Sequence, residues 1–291
     1  MAMSAKPHVL CSVSDTALLV AYHRAMETKR PDALFKDDLA VRLSEGRGEQ
    51  IARKLPRGRA LAWTTIVRTV LLDDVVLRLV AQGVDTVVNL AAGLDARPYR
   101  LPVPPSLRWI EVDLPDLLRE KVETLAADRP ICRVDRVSLD LADGAKRREL
   151  LARLGAESRN ALILSEGLLV YLSPGLVGEL ADDLYAQSSF RQWATDLVTP
   201  AIKQRMNRWM GRNLKQALTQ YQFAPEEGPA FFLPHGWRET EFHALFEHSI
   251  RINRTMSGMW IFNLMKRFMP RRTARMAEKW RAGVVLLQRT Q

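Results

Sequence analysis

The stretch Val84-Asp-Thr-Val-Val-Asn-Leu-Ala-Ala-Gly-Leu-Asp-Ala-Arg97, followed by Trp109-Ile-Glu-Val-Asp-Leu-Pro115, decides how this chain folds. Residues 86–90 are β-branched and apolar enough for a strand buried on both faces. The small residues Ala91, Ala92 and Gly93 after it let backbone approach a ligand. A second strand-like run over 107–112 ends at Asp113, about 20 residues beyond the small-residue turn, the interval at which nucleotide-binding sheets set a carboxylate on ribose hydroxyls. Each feature has a plainer alternative. Small residues after a strand also serve tight packing, the full G-x-G-x-x-G pattern of dinucleotide binders is absent, and Asp113 could simply cap the helix opened by Pro115.

Outward from this stretch, apolar strand-like runs alternate with amphipathic helices, the pattern of a parallel sheet with right-handed crossovers. Strands are expected at 84–90, 107–112, 131–137, 161–165 and 190–197, with helices at 115–127, 144–154 and 174–188. Before residue 84 the pattern is helical, over 16–27, 37–44 and 64–82, where Val67, Leu71, Val75 and Leu79 recur at helical spacing. Residues 200–234, rich in Met, Gln and aromatics including Trp209, Tyr221, Phe223, Phe231 and Phe232, break the alternation as an inserted lid would. A helix over 236–247, a strand over 249–255, a helical stretch to Trp280 and a last strand over 283–288 complete the series. The expectation is an α/β, Rossmann-like fold: a seven-stranded, mostly parallel sheet spanning 84–291, with a helical lid inserted at about 200–234 and an N-terminal helical cap over 1–83.

The 291 residues, 47% of them hydrophobic, can bury a large core. Cys11 and Cys132, the only two cysteines, have no paired or metal-like spacing, which argues against a disulfide framework or a metal site and for a reducing, cytoplasmic compartment. No apolar run reaches membrane-spanning length, and Ser12, Ser14 and Asp15 interrupt the short apolar stretch near the start before it could act as a signal peptide. The net charge of +10 invites a nucleic-acid partner. Its distribution argues otherwise: the densest basic cluster, from Lys266 to Arg281, alternates with Met265, Phe268, Met276 and Trp280 as a solvated amphipathic face does.

Four motifs in order, Asn89-Leu-Ala-Ala-Gly-Leu-Asp-Ala-Arg-Pro-Tyr-Arg100, Trp109-Ile-Glu-Val-Asp-Leu-Pro115, Ser138-Leu-Asp-Leu141 and Ser165-Glu-Gly-Leu-Leu-Val-Tyr-Leu-Ser-Pro174, resemble the leucine carboxyl methyltransferase-like family. Ser14-Asp-Thr-Ala17 and Arg30-Pro-Asp-Ala-Leu-Phe-Lys-Asp-Asp38 extend the likeness over residues 14 to 190. Many relatives carry Gly where Ala91 stands and Thr where Ala96 stands. The resemblance implies S-adenosyl-L-methionine as cofactor and S-adenosyl-L-homocysteine as product. It implies that Arg68 clamps the cofactor's carboxylate, a planar anion suited to a guanidinium fork. Asn89, Ala91 and Gly93 would line the methionine end, Asp113 and Leu114 the ribose, Asp140 and Leu141 the adenine, and Glu166 and Gly167 the end of the fourth strand. For each, a packing, turn or surface role competes.

Methyl transfer is an in-line displacement, so the enzyme's task is alignment, exclusion of water and a nucleophilic oxygen. A carboxylate acceptor is already ionised near neutrality and needs no base. A hydroxyl acceptor needs one, and His23, His235 and Glu166 are the candidates. Glu166, Tyr22 and His235 are the residues singled out for catalysis, with Tyr171 a further pocket group. The resulting expectation is a methyltransferase acting on a carboxylic acid or hydroxyl compound of small size, with neither nucleic acid nor membrane as partner and the oligomeric state open. The competing readings are a methyltransferase of protein C-terminal carboxylates, a non-catalytic protein-binding module and an NAD(P)-dependent oxidoreductase.

Overall fold

The computed structural model describes residues 13–55, 59–211, 220–255 and 282–290. One sheet runs through them, built from β1 (Thr86–Leu90), β2 (Arg108–Asp113), β3 (Arg133–Ser138), β4 (Ala161–Ser165), β5 (Phe190–Val198), β6 (Trp237–Ala244) and β7 (Ala282–Arg289). The order is β3-β2-β1-β4-β5-β7-β6, with β1 to β5 parallel and β7 antiparallel to both neighbours. The architecture is therefore the expected Rossmann-like α/β sheet. The chain winds outward from β1 to β3, returns, and winds the other way through β4 and β5. The crevice beyond the carboxyl ends of β1 and β4 is thus the switch point where such sheets bind ligands.

The helices are α1 (Val13–Thr28), α2 (Asp38–Leu43), α3 (Arg47–Lys54), α4 (Ala62–Ala81), the single turn α5 (Arg97–Arg100), α6 (Pro115–Thr124), α7 (Gly144–Glu157), α8 (Pro174–Tyr185), α9 (Pro200–Gly211) and α10 (Leu245–Arg251). β1 and β4 are buried along their whole length because helices cover both faces. On one face Val88, Leu90 and Ile163 pack with Leu151 of α7 and Val177 and Leu184 of α8. On the other, Val87 and Leu162 pack with the broad apolar side of α4, including Val67, Leu71 and Val75. A third apolar cluster joins α1 and α3 to the loop after β1 through Leu18, Ile51 and Leu94.

Local chemistry explains several boundaries. Asp37, Asp143 and Ser173 cap α2, α7 and α8 with side-chain oxygens that accept from backbone N–H groups, and proline opens α6 and α8. Two expected elements are exchanged. Residues 236–247 were expected as a helix but hold β6, and 249–255, expected as a strand, hold the end of α10 and a turn. Gly236, at φ 81°, stops the 3-10 turn of Gly228–His235, and the charged run Trp237-Arg-Glu-Thr-Glu is then drawn into pairing with β7. The register slips between Glu239 and Glu241, which blurs the two-residue alternation, and an edge strand tolerates such polarity because one side faces water. The helical stretch expected up to Trp280, with its basic cluster, and Cys11 lie outside the described residues. The expected lid contains α9 and the 3-10 turn, with 212–219 undescribed. Among the described residues no helix is long and apolar enough to cross a membrane.

Candidate cofactor and active site

The loop after β1 turns through two left-handed residues, Ala91 at φ 53° and Gly93 at φ 51°. Asp113, at the end of β2, braces it. One carboxylate oxygen accepts from the Gly93 N–H at 2.5 Å and the other from the Leu114 N–H at 2.7 Å. Asp113 therefore precedes the helix-capping position, which Leu114 holds without a side-chain bond. Each oxygen retains a lone pair for a ribose hydroxyl. Burial pushes the Asp113 carboxyl above its ordinary value, and the two backbone N–H groups oppose this. Leu114 itself is 41% exposed, an apolar surface beside the loop suited to a base. A Cβ on Gly93 would meet only the Ala17 Cβ, at 3.7 Å, so α1 roofs this loop.

Next to the loop, at the ends of β4 and β5, lies a network of charges. Arg68 of α4 donates through Nε to Glu166 Oε1 and through Nη1 to Asp196 Oδ2, both at 2.9 Å. Its Nη2 has no hydrogen bond to a described residue, and the side chain is 17% exposed. Arg97 of α5 donates to Asp73 at 2.7 Å and to Asp95 and Glu166 at 2.8 Å, and its Nη2 is buried without a partner. Asp196 Oδ1 accepts from the Gly167 N–H at 2.6 Å. Arg100 holds Asp73 at 2.6 Å. Burial alone would raise the Glu166 carboxyl, but the adjacent Arg97 and Arg68 guanidiniums override it and hold the group at about 2. Asp95 is likewise held low: burial opposes ionisation most, and the nearby cations Arg97, Arg24, Lys121 and Arg100 together outweigh it.

Beside Arg68 stand two half-buried tyrosines. Tyr171 and Tyr221 meet edge to face at 5.5 Å between ring centres, and their hydroxyls share a network with Thr16 of α1. Burial, the largest influence, raises both phenols above their ordinary range. Tyr221 is fixed from α9, where Asn207 both accepts from its N–H and donates to its carbonyl at 2.8 Å.

The other expected residues fall into three groups. Asn89 is buried and donates to Asp95 at 2.9 Å, bracing the loop from below. Asp140 is an exposed turn residue accepting from the Ala142 N–H, and Leu141 is buried beside it with its carbonyl taken by Arg147. The remaining three do not join the charged network. The Tyr22 Cβ packs where α1 meets Gly48 of α3. His23 Nδ1 pairs with Thr65 Oγ1 at 3.0 Å between α1 and α4, and His235 Nδ1 pairs with Asp182 of α8 at 2.7 Å, its ring against Gly178. Sequence reading gave no role to Asp73, Asp95, Arg97 or Asp196. Asp73 next to Leu71 and Leu72 on the apolar stripe of α4, and Asp196 beside Leu197 and Val198 at the end of β5, were the available signals, since a buried carboxylate demands a partner.

A family model described as leucine carboxyl methyltransferase matches residues 17–185. The chain belongs to that family. A Streptomyces coelicolor protein described as a candidate S-adenosyl-L-methionine-dependent methyltransferase is 31% identical over 84% of this chain and 89% of its own. A similarly described Parafrankia protein is 34% identical over 79% and 78%. Among solved structures, a methyltransferase candidate from Thermobifida fusca covers 97% of this chain and 96% of its own with a TM-score of 0.56 at 15% identity, which speaks to the fold alone. A DUF574 family protein from Streptomyces avermitilis gives 94%, 97% and 0.57 at 14%. This leucine carboxyl methyltransferase family member is an S-adenosyl-L-methionine-dependent methyltransferase. The donor set fits the cofactor: Asp113 retains acceptor capacity, the loop above it is small, and Arg68 retains a free fork nitrogen.

Proposed function

We propose that this enzyme methylates a carboxylate of a small organic acid or natural-product intermediate, with Arg68, Gly93, Asp113, Glu166 and Gly167 at the cofactor and the Tyr171–Tyr221 pair on the acceptor side. Bound S-adenosyl-L-methionine supplies an electrophilic methyl carbon on a sulfonium sulfur that departs as a neutral thioether. The chain's own residues then have to orient, shield and hold charge. Arg68, whose Nη2 is not engaged by a described residue, would hold the cofactor's carboxylate, Asp113 would hold the ribose, and α1 with Tyr221 would exclude water. The single observation that carries the carboxylate reading is the condition of Glu166. A carboxylate locked between two guanidiniums and titrating near 2 is a poor base at neutral pH, so the group best placed to activate a hydroxyl is disabled for it. His23 and His235, the other base candidates, pair with Thr65 and Asp182 away from Arg68.

The test is transfer of a labelled methyl group to a panel of carboxylic acids, phenols and peptides. The expected product is a methyl ester, released by mild alkali as methanol. The expected single-turnover rate is flat from about pH 6 to about pH 9, since the acceptor enters ionised. His23→Ala and His235→Ala should each stay within about tenfold of wild type, a barrier change under roughly 1.4 kcal/mol. An alkali-stable ether product, with a rate that climbs with pH and collapses in either histidine variant, overturns the carboxylate assignment in favour of a hydroxyl acceptor.

A further inference from the structure

The carboxylates at the strand ends are unequally neutralised. Glu166 offers one oxygen to Arg68 and the other to Arg97. Asp73 is held by Arg97 and by both terminal nitrogens of Arg100, and Asp95 by Arg97 and Asn89. Among the described residues Asp196 has no guanidinium of its own: it shares Arg68 with Glu166, and its second oxygen receives only the neutral Gly167 N–H. Within these ion pairs four carboxylates share Arg68, Arg97 and Arg100, Arg24 and Lys121 add positive charge near Asp95, and Asp196 is the one of the four with the least cationic pairing among the described residues. The residue is 7% exposed, so water screens it little.

Its place in the sheet says what that charge meets. Thr195 lies opposite Ser165, which puts Asp196 level with Glu166 at the carboxyl edge, one strand further from Asp113. With the ribose end of the cofactor at β2, the methionine end extends across β1 toward β4 and β5. Resting on that placement, we infer that Asp196 is a charge-selecting residue: it favours S-adenosyl-L-methionine, whose sulfonium gives it one positive charge more, over the neutral thioether product S-adenosyl-L-homocysteine. Methyl transfer then removes the charge that Asp196 attracts, which loosens the product.

The decisive measurement is calorimetric affinity for three cofactor probes, with no methyl acceptor present, so its outcome is independent of whether the acceptor is a carboxylate. Sinefungin carries an ammonium in place of the methylated sulfur and reports charge without reactivity. In Asp196→Asn, affinity for S-adenosyl-L-methionine and sinefungin should fall at least about tenfold while that for S-adenosyl-L-homocysteine stays within about threefold. Asp196→Glu keeps the charge and should restore the ratio of the two cationic ligands to the neutral one, even if all three bind more weakly. Equal losses for all three probes in Asp196→Asn would make Asp196 a mere brace for Arg68 and Gly167, and overturn the inference. So would a collapsed ratio in Asp196→Glu. If Asp196→Asn does not fold, the wild-type protein decides: sinefungin must bind more tightly than S-adenosyl-L-homocysteine, and equal affinity overturns the inference.

Discussion

Glu111 and Lys121 are both fully buried on the β2–β3 side of the molecule, 2.7 Å apart, and the second oxygen of Glu111 accepts from Arg136, which in turn holds the Tyr99 hydroxyl. Glu166, Asp196, Arg68 and Arg97 form a cluster of similar size at the carboxyl edge of β4 and β5, yet among the described residues they leave Arg97 Nη2 and Arg68 Nη2 without a hydrogen-bond partner. In the first cluster both carboxylate oxygens are matched and Glu111 and Lys121 are fully buried. In the second, a fork nitrogen of each arginine has no partner among the described residues. An ionic cluster that only holds a fold can close on itself, whereas one that meets a charged ligand keeps capacity in reserve, at a cost in stability.

The largest expected effect belongs to the closed cluster. Lys121→Met leaves Glu111 buried beside Arg136 alone, and breaking a buried pair from one side costs about 3–5 kcal/mol. Urea denaturation should show that loss, and Lys121→Met combined with Glu111→Met should recover most of it. Cofactor affinity of the folded fraction should be unchanged. A midpoint equal to wild type for the single variant would erase the contrast between the two clusters.

Arg68→Ala probes the open cluster and should act on binding more than on folding. Truncating one partner of a buried charge pair costs roughly 2–4 kcal/mol of binding free energy, read by calorimetry with S-adenosyl-L-methionine. The substitution also removes one of the three guanidiniums, Arg97, Arg68 and Arg24, that depress Glu166. A depressed carboxyl contributes stability that is present above its unfolded value, near 4.5, and is lost as pH falls toward its folded value of about 2. In Arg68→Ala the folded value should rise, so that contribution shrinks and acid melting in the absence of cofactor should vary less steeply across that window. Unchanged affinity together with an unchanged acid profile would remove Arg68 from the cofactor site.

Most of the sheet was legible because buried parallel strands are written as continuous apolar runs, and β1, β4 and β5 sit within two residues of the expected bounds. β6 was not, because its residues carry polar side chains at an edge and its partner β7 is distant in sequence, so pairing overrode local helix preference. Within the candidate site, the meeting of Gly93 with Asp113 followed from spacing and motif, whereas Arg68 was expected only from the family resemblance. The network that sets the Glu166 charge was not, since Asp73, Asp95 and Asp196 come from three separated segments that only the fold brings together.

The smallest expected effect lies in the loop between the two clusters. Ala91 adopts φ 53°, a left-handed conformation that costs a residue with a Cβ roughly 1–2 kcal/mol. Glycine adopts it freely, but glycine also gives the unfolded chain more freedom, which offsets about 0.4–1 kcal/mol. Ala91→Gly should therefore stabilise the protein by about 0.5–1 kcal/mol in urea titration. The loop bonds from the Gly93 N–H to the Asp113 carboxylate and from the Ala92 N–H to the Val112 carbonyl use no atom of Ala91, so they should persist and leave cofactor affinity within about threefold of wild type. A destabilised variant would mean that the Ala91 methyl packs against its surroundings strongly enough to outweigh the backbone strain. The alanine would then be a packing element of this loop instead of a tolerated departure from glycine.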